Sequence, residues 1–439
     1  MMGFGMALAL LLGAAGGAVE PRPLDVAQSK AAVDRTLDRI YPELFQLYTD
    51  IHAHPELRFQ EKRTAGVLAA QMRQLGFTVT EHVGGTGLVA ILRNGAGPTV
   101  LVRTELDALP MEEKTGLPYA SRVQADFNGQ PSFVAHSCGH DIHMAAWVGT
   151  ARALTAMKER WHGTLMFIAQ PAEESVSGAR AMLKDGLFTR FPKPDFGFAL
   201  HTGAYAYGKV LYRDGMVTSN ADSFEIKFKG RGGHGSAPDK AIDPVLMASR
   251  FIVDIQSVVS QEKPAQQPGV ISIGAIQGGT VGNVIPDEVT VRGTIRTYDP
   301  EVRAKLIAGL KRVATAEATM AAAPEPSIQM VEGANAVLND PELAQRTGSV
   351  FHQAFGAAAE LKADRITASE DYSEYVMAGM PHSLFFEIGI YEPKRVEAAR
   401  AGGPPLPFNH SPYYAPVPEP TIRTGVEAMT LAVLNVLGD

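Results

Sequence analysis

The chain alternates between apolar runs of strand length and longer stretches with helical periodicity. The apolar runs are rich in Val, Ile, Leu and Phe, which is typical of buried strands. They cover residues 87–92, 99–104, 163–170, 196–201 and 382–389. Helical periodicity covers residues 26–49, 61–75, 141–158 and 178–187. This alternation predicts an α/β fold with a mixed sheet flanked by helices.

A second pattern interrupts the first between residues 220 and 332. Strand-like runs and two helical stretches, at residues 243–260 and 300–320, follow one another in the order β-α-β-β-α-β. That order is typical of a compact, ferredoxin-like α+β domain. The α/β pattern resumes near residue 335. We therefore predict one α/β domain in two parts, residues 26–219 and 333–439, interrupted by an inserted domain over residues 220–332.

The first 18 residues form an apolar run that ends in small residues and is followed by Pro and charge. This is the pattern of a secretory signal, with a predicted cut after Ala18, and the run is too short to span a bilayer. No Lys or Arg precedes Arg22, so the basic start of such a signal is missing. We predict a periplasmic or secreted protein; if the start of the chain is wrongly assigned, the alternative is a cytoplasmic one.

The composition gives no reason to propose several classes of partner and excludes a disulfide within the chain. With 439 residues, 45% hydrophobic and 20% charged, the chain resembles an ordinary globular protein. A formal net charge of −7 gives no reason to propose nucleic acid or an anionic membrane as a partner. The single cysteine, Cys138, rules out a disulfide within the chain. It therefore needs another explanation: packing, nucleophilic attack or metal binding.

Polar side chains follow several of the predicted strands. Asp107 comes soon after residues 99–104, Glu173 and Glu174 follow residues 163–170, and His201 ends the run "FGFALH". In open α/β sheets, binding crevices form at the carboxyl ends of the strands. Cys138 lies in "HSCGHDIH", residues 136–143, at a predicted helix start. Carboxylates, imidazoles and a thiol at one crevice are the donors of a divalent transition-metal site.

Each of these residues also has a purely structural explanation. A single cysteine is most often a small buried apolar residue, and a Glu-Glu pair is usually a solvated surface pair. His201 suits a hydrogen-bonded core position, and His410, in "FNHSPYY", suits a surface loop. The metal hypothesis rests on these residues occurring together.

One motif is a false match. "GRGGHG", from Gly230 to Gly235, has the spacing of a dinucleotide-binding fingerprint. That fingerprint must open directly into a helix, so that the pyrophosphate meets the helix N-terminus. Pro238 and Pro244 delay any helix here, so we do not predict a dinucleotide site.

Taken together, the motifs resemble those of the co-catalytic metallo-amidohydrolases: aminoacylases, hippurate hydrolases and indole-acetyl-amino-acid hydrolases. The resemblance extends from about residue 35 to residue 435. It is carried by the segments "HAHPELRFQE", "DALP", "CGHDIH", "QPAEE", "SGARAMLKDGLF", "GRGGHGSAPD", "GNVIPDEVTVRGTIRT", "EDYSEY" and "NHSP". The family's fold is a metal-binding α/β domain with an inserted lid that usually forms the dimer.

The resemblance implies roles for individual residues. The ligands of two divalent metal ions fall on Cys138, His140, Glu174, His201 and His410. The general base falls on Glu173, with Asp107 as a supporting carboxylate. His234 resembles the lid histidine that reaches the active site, in many members that of the partner subunit. Asn283 and Arg296 resemble lid residues that hold the substrate carboxylate.

Two features depart from the family pattern. The segment "TELDALP" carries Glu105 where "ADMDALP" is usual, and more distant members place a metal-binding His there. The added methylene changes a contact at or next to the metals by roughly an ångström, which puts the metal's identity in question. The loop at residues 391–409 looks long for the family and is expected to reshape the acyl pocket.

We therefore predict an amidohydrolase that cleaves N-acyl or N-aroyl amino acids, or short peptides, with two divalent ions. Zinc suits the thiolate and imidazoles, while manganese, cobalt or nickel stay open. The expected partners are a small-molecule substrate and a second copy of the chain. Three alternatives are a carboxypeptidase or dipeptidase of the same fold, a hydrolase with Cys138 as nucleophile, and an inactive binder of acyl-amino acids.

Overall fold

A computed structural model of the protein describes residues 24–362 and 364–438. The predicted signal segment, residues 1–18, lies outside the described residues.

In chain order the strands are β1 (Thr78–Val83), β2 (Gly87–Asn94), β3 (Thr99–Glu105), β4 (Gln124–Phe127), β5 (Gln130–Phe133), β6 (Gly163–Gln170), β7 (Phe196–Ala206), β8 (Val210–Tyr212), β9 (Gly215–Met216), β10 (Asn220–Lys229), β11 (Gly233–His234), β12 (Gly269–Gln277), β13 (Val284–Ile285), β14 (Glu288–Thr297), β15 (Ser327–Glu332), β16 (Leu338–Asn339), β17 (Ala359–Leu361) and β18 (His382–Tyr391). The helices are α1 (Val26–Ala53), α2 (Lys62–Gln74), α3 (His140–Ala156), α4 (Gly178–Lys184), α5 (Leu187–Arg190), α6 (Pro244–Ser257), α7 (Pro300–Met320), α8 (Pro341–Phe355), α9 (Ser373–Met377), α10 (Pro393–Arg400) and α11 (Pro418–Leu437).

The main sheet has eight strands in the order β1-β2-β6-β3-β7-β18-β8-β17. Strands β6, β3, β7 and β18 run parallel to their neighbours within this group, whereas β1, β2 and β8 bring antiparallel pairings. The sheet is therefore mixed, as predicted. Its four central parallel strands end at the same edge, which is where the polar residues of the sequence gather.

Helices cover both faces of the main sheet because side chains of its strands alternate between two cores. On β2, Leu88, Ala90 and Leu92 join a large apolar cluster that includes residues of α1, α3 and α11. Val89 and Ile91 point the other way and join a smaller cluster, whose members include residues of α4, α5 and α9. A strand buried on both faces reads as a continuous apolar run, and this is why the pattern was visible in the sequence.

The second sheet has four strands in the order β12-β14-β10-β15, all antiparallel. With α6 and α7 it encloses a separate apolar cluster that includes Phe228, Phe251 and Leu306. The chain order β-α-β-β-α-β is the predicted one. Whether residues 220–332 act as an independent lid stays a prediction.

Three helices begin at an Asp-Pro pair, namely Asp243-Pro244, Asp299-Pro300 and Asp340-Pro341. In each pair the Asp side chain accepts hydrogen bonds from main-chain N–H groups of the first helical turn, and the Pro occupies a position that needs no donor. The first pair starts α6, fourteen residues after Gly230. The Gly-rich "GRGGHG" thus contains β11 and does not open directly into an α-helix.

Three predicted elements differ from the structure. The helix predicted over residues 178–187 is divided at Gly186, which has φ +91°, into α4 and α5. β7 does not end at His201 but continues to Ala206, since β18 pairs with it along nearly its full length, Glu387 lying opposite His201. The predicted loop at residues 391–409 contains the helix α10. Across the described ranges, none of the helices combines the length and the apolar character that crossing a membrane requires.

Candidate metal centre

A cavity of about 250 Å³ lies at the carboxyl edge of the main sheet. Its wall includes predicted metal ligands together with residues of the second sheet, of the segment before α9 and of the loop before α11. The lining residues are Cys138, Glu173, Glu174, Val176, His201, Thr202, Thr218, Arg296, Ile366, Ala368, Ser369, Glu370, Phe385, Glu387, Phe408, Asn409 and His410.

Cys138 and His140 are placed by the sharp entry into α3. The turn residue Gly139 has φ +89°, and a Cβ there would lie 2.4 Å from Thr202 Oγ1. Only glycine fits this approach without strain. The turn presents both donors at the first residues of the helix, and both are buried.

The turn that carries Glu173 and Glu174 is held by buried carboxylates. Asp107 accepts the main-chain N–H of Glu173 at 3.1 Å and that of Glu174 at 3.0 Å. Glu61 accepts the N–H of Ala172 at 2.9 Å. Ala172 has φ +51°, a left-handed conformation that costs free energy for a residue with a Cβ. Asp107, predicted as a supporting carboxylate, thus holds the main chain of the two glutamates in place.

The donors expected for metal ions converge in two overlapping groups. Ligand atoms of Cys138, Glu174 and His410 lie within 4.8 Å of one another, and so do those of His140, Glu173 and Glu174. Two of these atoms, His140 Nε2 and Glu174 Oε1, are buried and have no hydrogen-bond partner among the residues that the structure describes. Buried polar atoms are rarely left unpaired in proteins. Unpaired imidazole and carboxylate atoms that face a thiol fit a transition-metal site with N, O and S ligands.

His201 is also oriented so that one of its ring nitrogens is able to bind a metal ion. Its Nδ1 lies 2.9 Å from the main-chain oxygen of Thr202, so Nδ1 carries the proton and Nε2 offers a lone pair. Nε2 lies 3.5 Å from Cys138 Sγ. His410, on the exposed loop before α11, has φ +69° and places its Nε2 3.3 Å from Glu174 Oε2. The five predicted ligands are therefore brought together.

Burial without a cation favours the neutral forms of the acids in this cluster. Burial, with the nearby Glu370 and Glu174, raises the pKa of Glu173 well above its usual range. Burial raises the pKa of Glu174 to about 7. Burial and the carboxylate of Glu174 raise the pKa of the Cys138 thiol. A bound cation reverses this tendency because it stabilises carboxylates and thiolate.

A buried charge network lies next to the turn that carries Glu173 and Glu174. The Arg103 guanidinium, fully buried on β3, contacts Glu105 and lies 2.6 Å from Glu370 Oε1 and 3.2 Å from Asp371 Oδ1. Asp371 also accepts hydrogen bonds from the side chain of Gln170 and the main-chain N–H of Ala179. The network ties the ends of β3 and β6 to the segment that starts α9.

Glu105 uses both of its carboxylate oxygens inside this network. One contacts Arg103, and the other lies 3.0 Å from His143 Nδ1. His143 Nε2 in turn accepts the N–H of Thr202 at 2.9 Å. Although Glu105, His140, His143 and His201 have atoms within 4.8 Å of one another, His143 and Glu105 are already paired. The longer side chain at this position thus reaches a histidine and an arginine.

The site residues predicted within residues 220–332 divide into two sets. Arg296, on β14, lines the cavity and donates to Ser369 Oγ at 3.2 Å. His234 and Asn283 are exposed, lie next to each other through the β11–β13 pair, and do not line the cavity within this chain.

Sequence reasoning gave no role to several residues that hold the site. Arg103 carried the clearest signal, because an arginine inside an otherwise apolar strand needs buried acidic partners. Glu370 and Asp371 stood in the quoted segment "EDYSEY", but their partners could not be read from the sequence. Glu61 and His143 gave no signal beyond their neighbouring motifs.

Comparison with known proteins agrees with this geometry. Residues 101–430 match the family described as peptidase family M20/M25/M40. The chain is 39% identical to a hippurate hydrolase of Campylobacter jejuni over 263 residues, which are 60% of this chain and 66% of that enzyme. It is 32% identical to thermostable carboxypeptidase 1 of Saccharolobus solfataricus over 348 residues, covering 78% of this chain and 85% of that one.

Among solved structures, one similar chain is the YXEP protein of Bacillus subtilis, described as a dinuclear metal binding peptidase from the M20 family. The two structures align with a TM-score of 0.73 and 26% sequence identity. The alignment covers 93% of this chain and 100% of that one.

Proposed function

The chain belongs to peptidase family M20/M25/M40, and from this premise we propose that it is a two-metal amidohydrolase that releases amino acids from N-acyl or N-aroyl amino acids. One observation carries the proposal. The unpaired atoms His140 Nε2 and Glu174 Oε1 lie with the buried Glu173 in one group of donors. The likeness to a hippurate hydrolase and to a dinuclear peptidase supports it.

In this proposal, the ions are held by Cys138, His140, Glu174, His201 and His410. Bound divalent ions supply Lewis acidity, which activates a water and polarises the scissile carbonyl. Zinc suits the thiolate and imidazole donors, with manganese, cobalt and nickel as alternatives.

Glu173 is the proposed general base. Its carboxylate belongs to the group that includes His140 and Glu174, and its main chain is fixed by Asp107. It takes a proton from the attacking water and delivers that proton to the nitrogen of the leaving amino acid. The guanidinium of Arg296, at the wall of the cavity, donates hydrogen bonds to the substrate carboxylate.

We also propose that residues 220–332 pair two chains. His234 and Asn283 are exposed and lie outside the cavity of their own chain, which suits groups that serve the site of a partner. The periplasmic or secreted location predicted from residues 1–18 remains a proposal as well.

Two other functions are less well supported. A carboxypeptidase that acts on short peptides is favoured by the likeness to thermostable carboxypeptidase 1 and uses the same residues. A hydrolase with Cys138 as nucleophile is disfavoured, since burial raises the pKa of the thiol and its neighbours are metal-ligand types.

The test is release of free amino acid from N-acetyl, N-benzoyl and peptidyl derivatives of one amino acid. Protein incubated with zinc or manganese is compared with the same protein after chelation. We expect release of the amino acid that depends on the metal. Release that survives chelation would contradict the proposal, and so would a lack of release from every compound.

A further inference from the structure

The candidate metal centre shares a wall with a second cavity. This side cavity has a volume of about 420 Å³ and lies between β8, β17 and the segment that follows β17. The residues common to both cavities are Ile366, Ala368, Glu387 and Phe408. The two cavities therefore adjoin along a wall that includes one acidic side chain.

That acidic side chain, Glu387, is fixed by a buried ion pair. It lies on β18 opposite His201 of β7, and its Oε2 contacts the Nζ of Lys362. The side chains of Glu387 and Lys362 are 10% and 14% exposed. Lys362 also lies 5.2 Å from the centre of the Tyr205 ring. Burial would lower the pKa of Lys362, but Glu387 and Tyr205 outweigh it and raise that pKa. Burial raises the pKa of Glu387, although Lys362 opposes this rise.

Glu387 and Lys362 both line the side cavity, but only Glu387 also lines the catalytic cavity. No hydrogen bond engages Oε1 of Glu387 within residues 24–362 and 364–438. A substrate above the metal ligands therefore meets a carboxylate with one unused oxygen, backed by a lysine. Such a carboxylate accepts a hydrogen bond from a cationic nitrogen and disfavours an anion.

The position of Arg296 indicates which part of the proposed substrate faces Glu387. Arg296, on β14, contacts Ser369, whereas Glu387 lies on β18 and contacts Lys362, which directly follows β17. Arg296 lines the catalytic cavity and is not part of the side cavity. If Arg296 holds the carboxylate of the leaving amino acid, the acyl group extends toward Glu387.

We propose that Glu387 is a specificity-determining residue that selects acyl groups carrying a cationic amine, such as aminoacyl groups, over uncharged acyl groups of the same shape. This inference rests on the proposed function, because it assigns one half of the same substrate. It implies that an uncharged benzoyl or acetyl group offers the Glu387 carboxylate no hydrogen-bond donor where the acyl group meets it.

The test uses three pairs of amides of phenylalanine, in which an ammonium group replaces a methyl group of the same size. The pairs are glycyl and propanoyl, β-alanyl and butanoyl, and 4-aminobutanoyl and pentanoyl. The three lengths place the ammonium at increasing distance from the scissile carbonyl. The readout is kcat/KM for release of phenylalanine by the metal-loaded protein, measured near pH 7 so that the amine is charged.

For at least one length we expect the ammonium compound to be preferred by about tenfold or more, as is typical of one charged hydrogen bond. The Glu387→Gln variant should lose that preference, because its kcat/KM falls more for the ammonium compound than for the uncharged partner. Glu225→Gln is the matched control, since Glu225 also lies on a strand in an ion pair, with Arg292, but lines neither cavity. It should keep the wild-type preference.

Equal or higher kcat/KM for the uncharged partner at all three lengths in the wild type would overturn the inference, with no variant needed. An unchanged preference in Glu387→Gln would overturn it too. If that variant does not fold, the double variant Glu387→Gln/Lys362→Gln removes the pair without leaving a lone buried charge and takes its place. Absence of turnover for all six amides would instead overturn the proposed function.

Discussion

His140 Nδ1 lies 2.7 Å from the main-chain oxygen of Asp107. Because Nδ1 donates this hydrogen bond, Nε2 carries the lone pair and faces the other metal-ligand candidates without a partner. The carboxylate of Asp107 meanwhile accepts the N–H groups of Glu173 and Glu174. One residue thus orients an imidazole with its main chain and two glutamates with its side chain.

Asp107→Asn should therefore weaken metal binding and lower kcat together. The amide keeps one acceptor oxygen but turns an N–H group toward the donors of Glu173 and Glu174. We expect metal affinity to fall by about 10–100-fold, as is typical when a partner behind the ligands is lost. Titration of the chelated protein with zinc measures this. An affinity within about twofold of the wild type would show that Asp107 does not position the glutamates.

Glu173→Gln should retain bound metal and lose nearly all turnover. The substitution keeps the shape of the side chain and removes its ability to take a proton from water. Metal content and kcat are measured on the same sample, with Glu112→Gln, an exposed position, as the control. Turnover equal to that of the wild type would remove Glu173 from the role of base.

Arg103→Met should destabilise the protein by about 3–5 kcal/mol, because it leaves Glu105, Glu370 and Asp371 buried without their cation. Arg73→Met is the control. Arg73 pairs with Glu81 at the surface, so its loss should cost about 1 kcal/mol or less. Urea denaturation of the chelated proteins compares the two. Similar losses of stability in both variants would contradict the role given to the buried network.

The buried His52 should make stability depend on alkaline pH. Burial would lower its pKa, but hydrogen bonds to Asp141 at 2.6 Å and Glu113 at 3.1 Å outweigh this and raise it to about 10. The charged imidazole therefore makes its full contribution to the stability of the folded protein below pH 6.5, the pKa of the unfolded state. This contribution is lost as the pH rises toward 10, the pKa of the folded state. The stability difference between wild type and His52→Gln should thus be large at pH 6 and shrink by pH 10.

The matched control is His54→Gln, on the same helix end but exposed. Its difference from the wild type should stay small at both pH values. A His52→Gln difference that is constant from pH 6 to pH 10 would mean that the imidazole is not charged in the folded protein.

Most of the fold was readable from the sequence because strands buried on both faces and helices between them leave unambiguous patterns. The ends of elements were harder. β7 continues past His201 because β18 pairs with it, which is a long-range contact that no local pattern reports. The helix α10 was missed because its sequence, "PKRVEAAR", buries only Val396 and so lacks an apolar stripe.

The site shows the same division. The five predicted ligands could be listed from motifs, since their residue types carry the chemistry. The residues that hold them, such as Glu61 and Arg103, act through contacts between segments about a hundred or more residues apart. The pair Glu387–Lys362 had no motif, and only the fold shows that its carboxylate reaches the cavity.

We propose that a pair of metal ions is held by Cys138, His140, Glu174, His201 and His410. Elemental analysis of protein purified without chelator, beside the Cys138→Ser variant, measures the metal content of this site. We expect about two divalent ions per chain in the wild type, as in two-metal hydrolases, and fewer in the variant. Protein that binds no metal after incubation with zinc and manganese, or that loses none in Cys138→Ser, would contradict it.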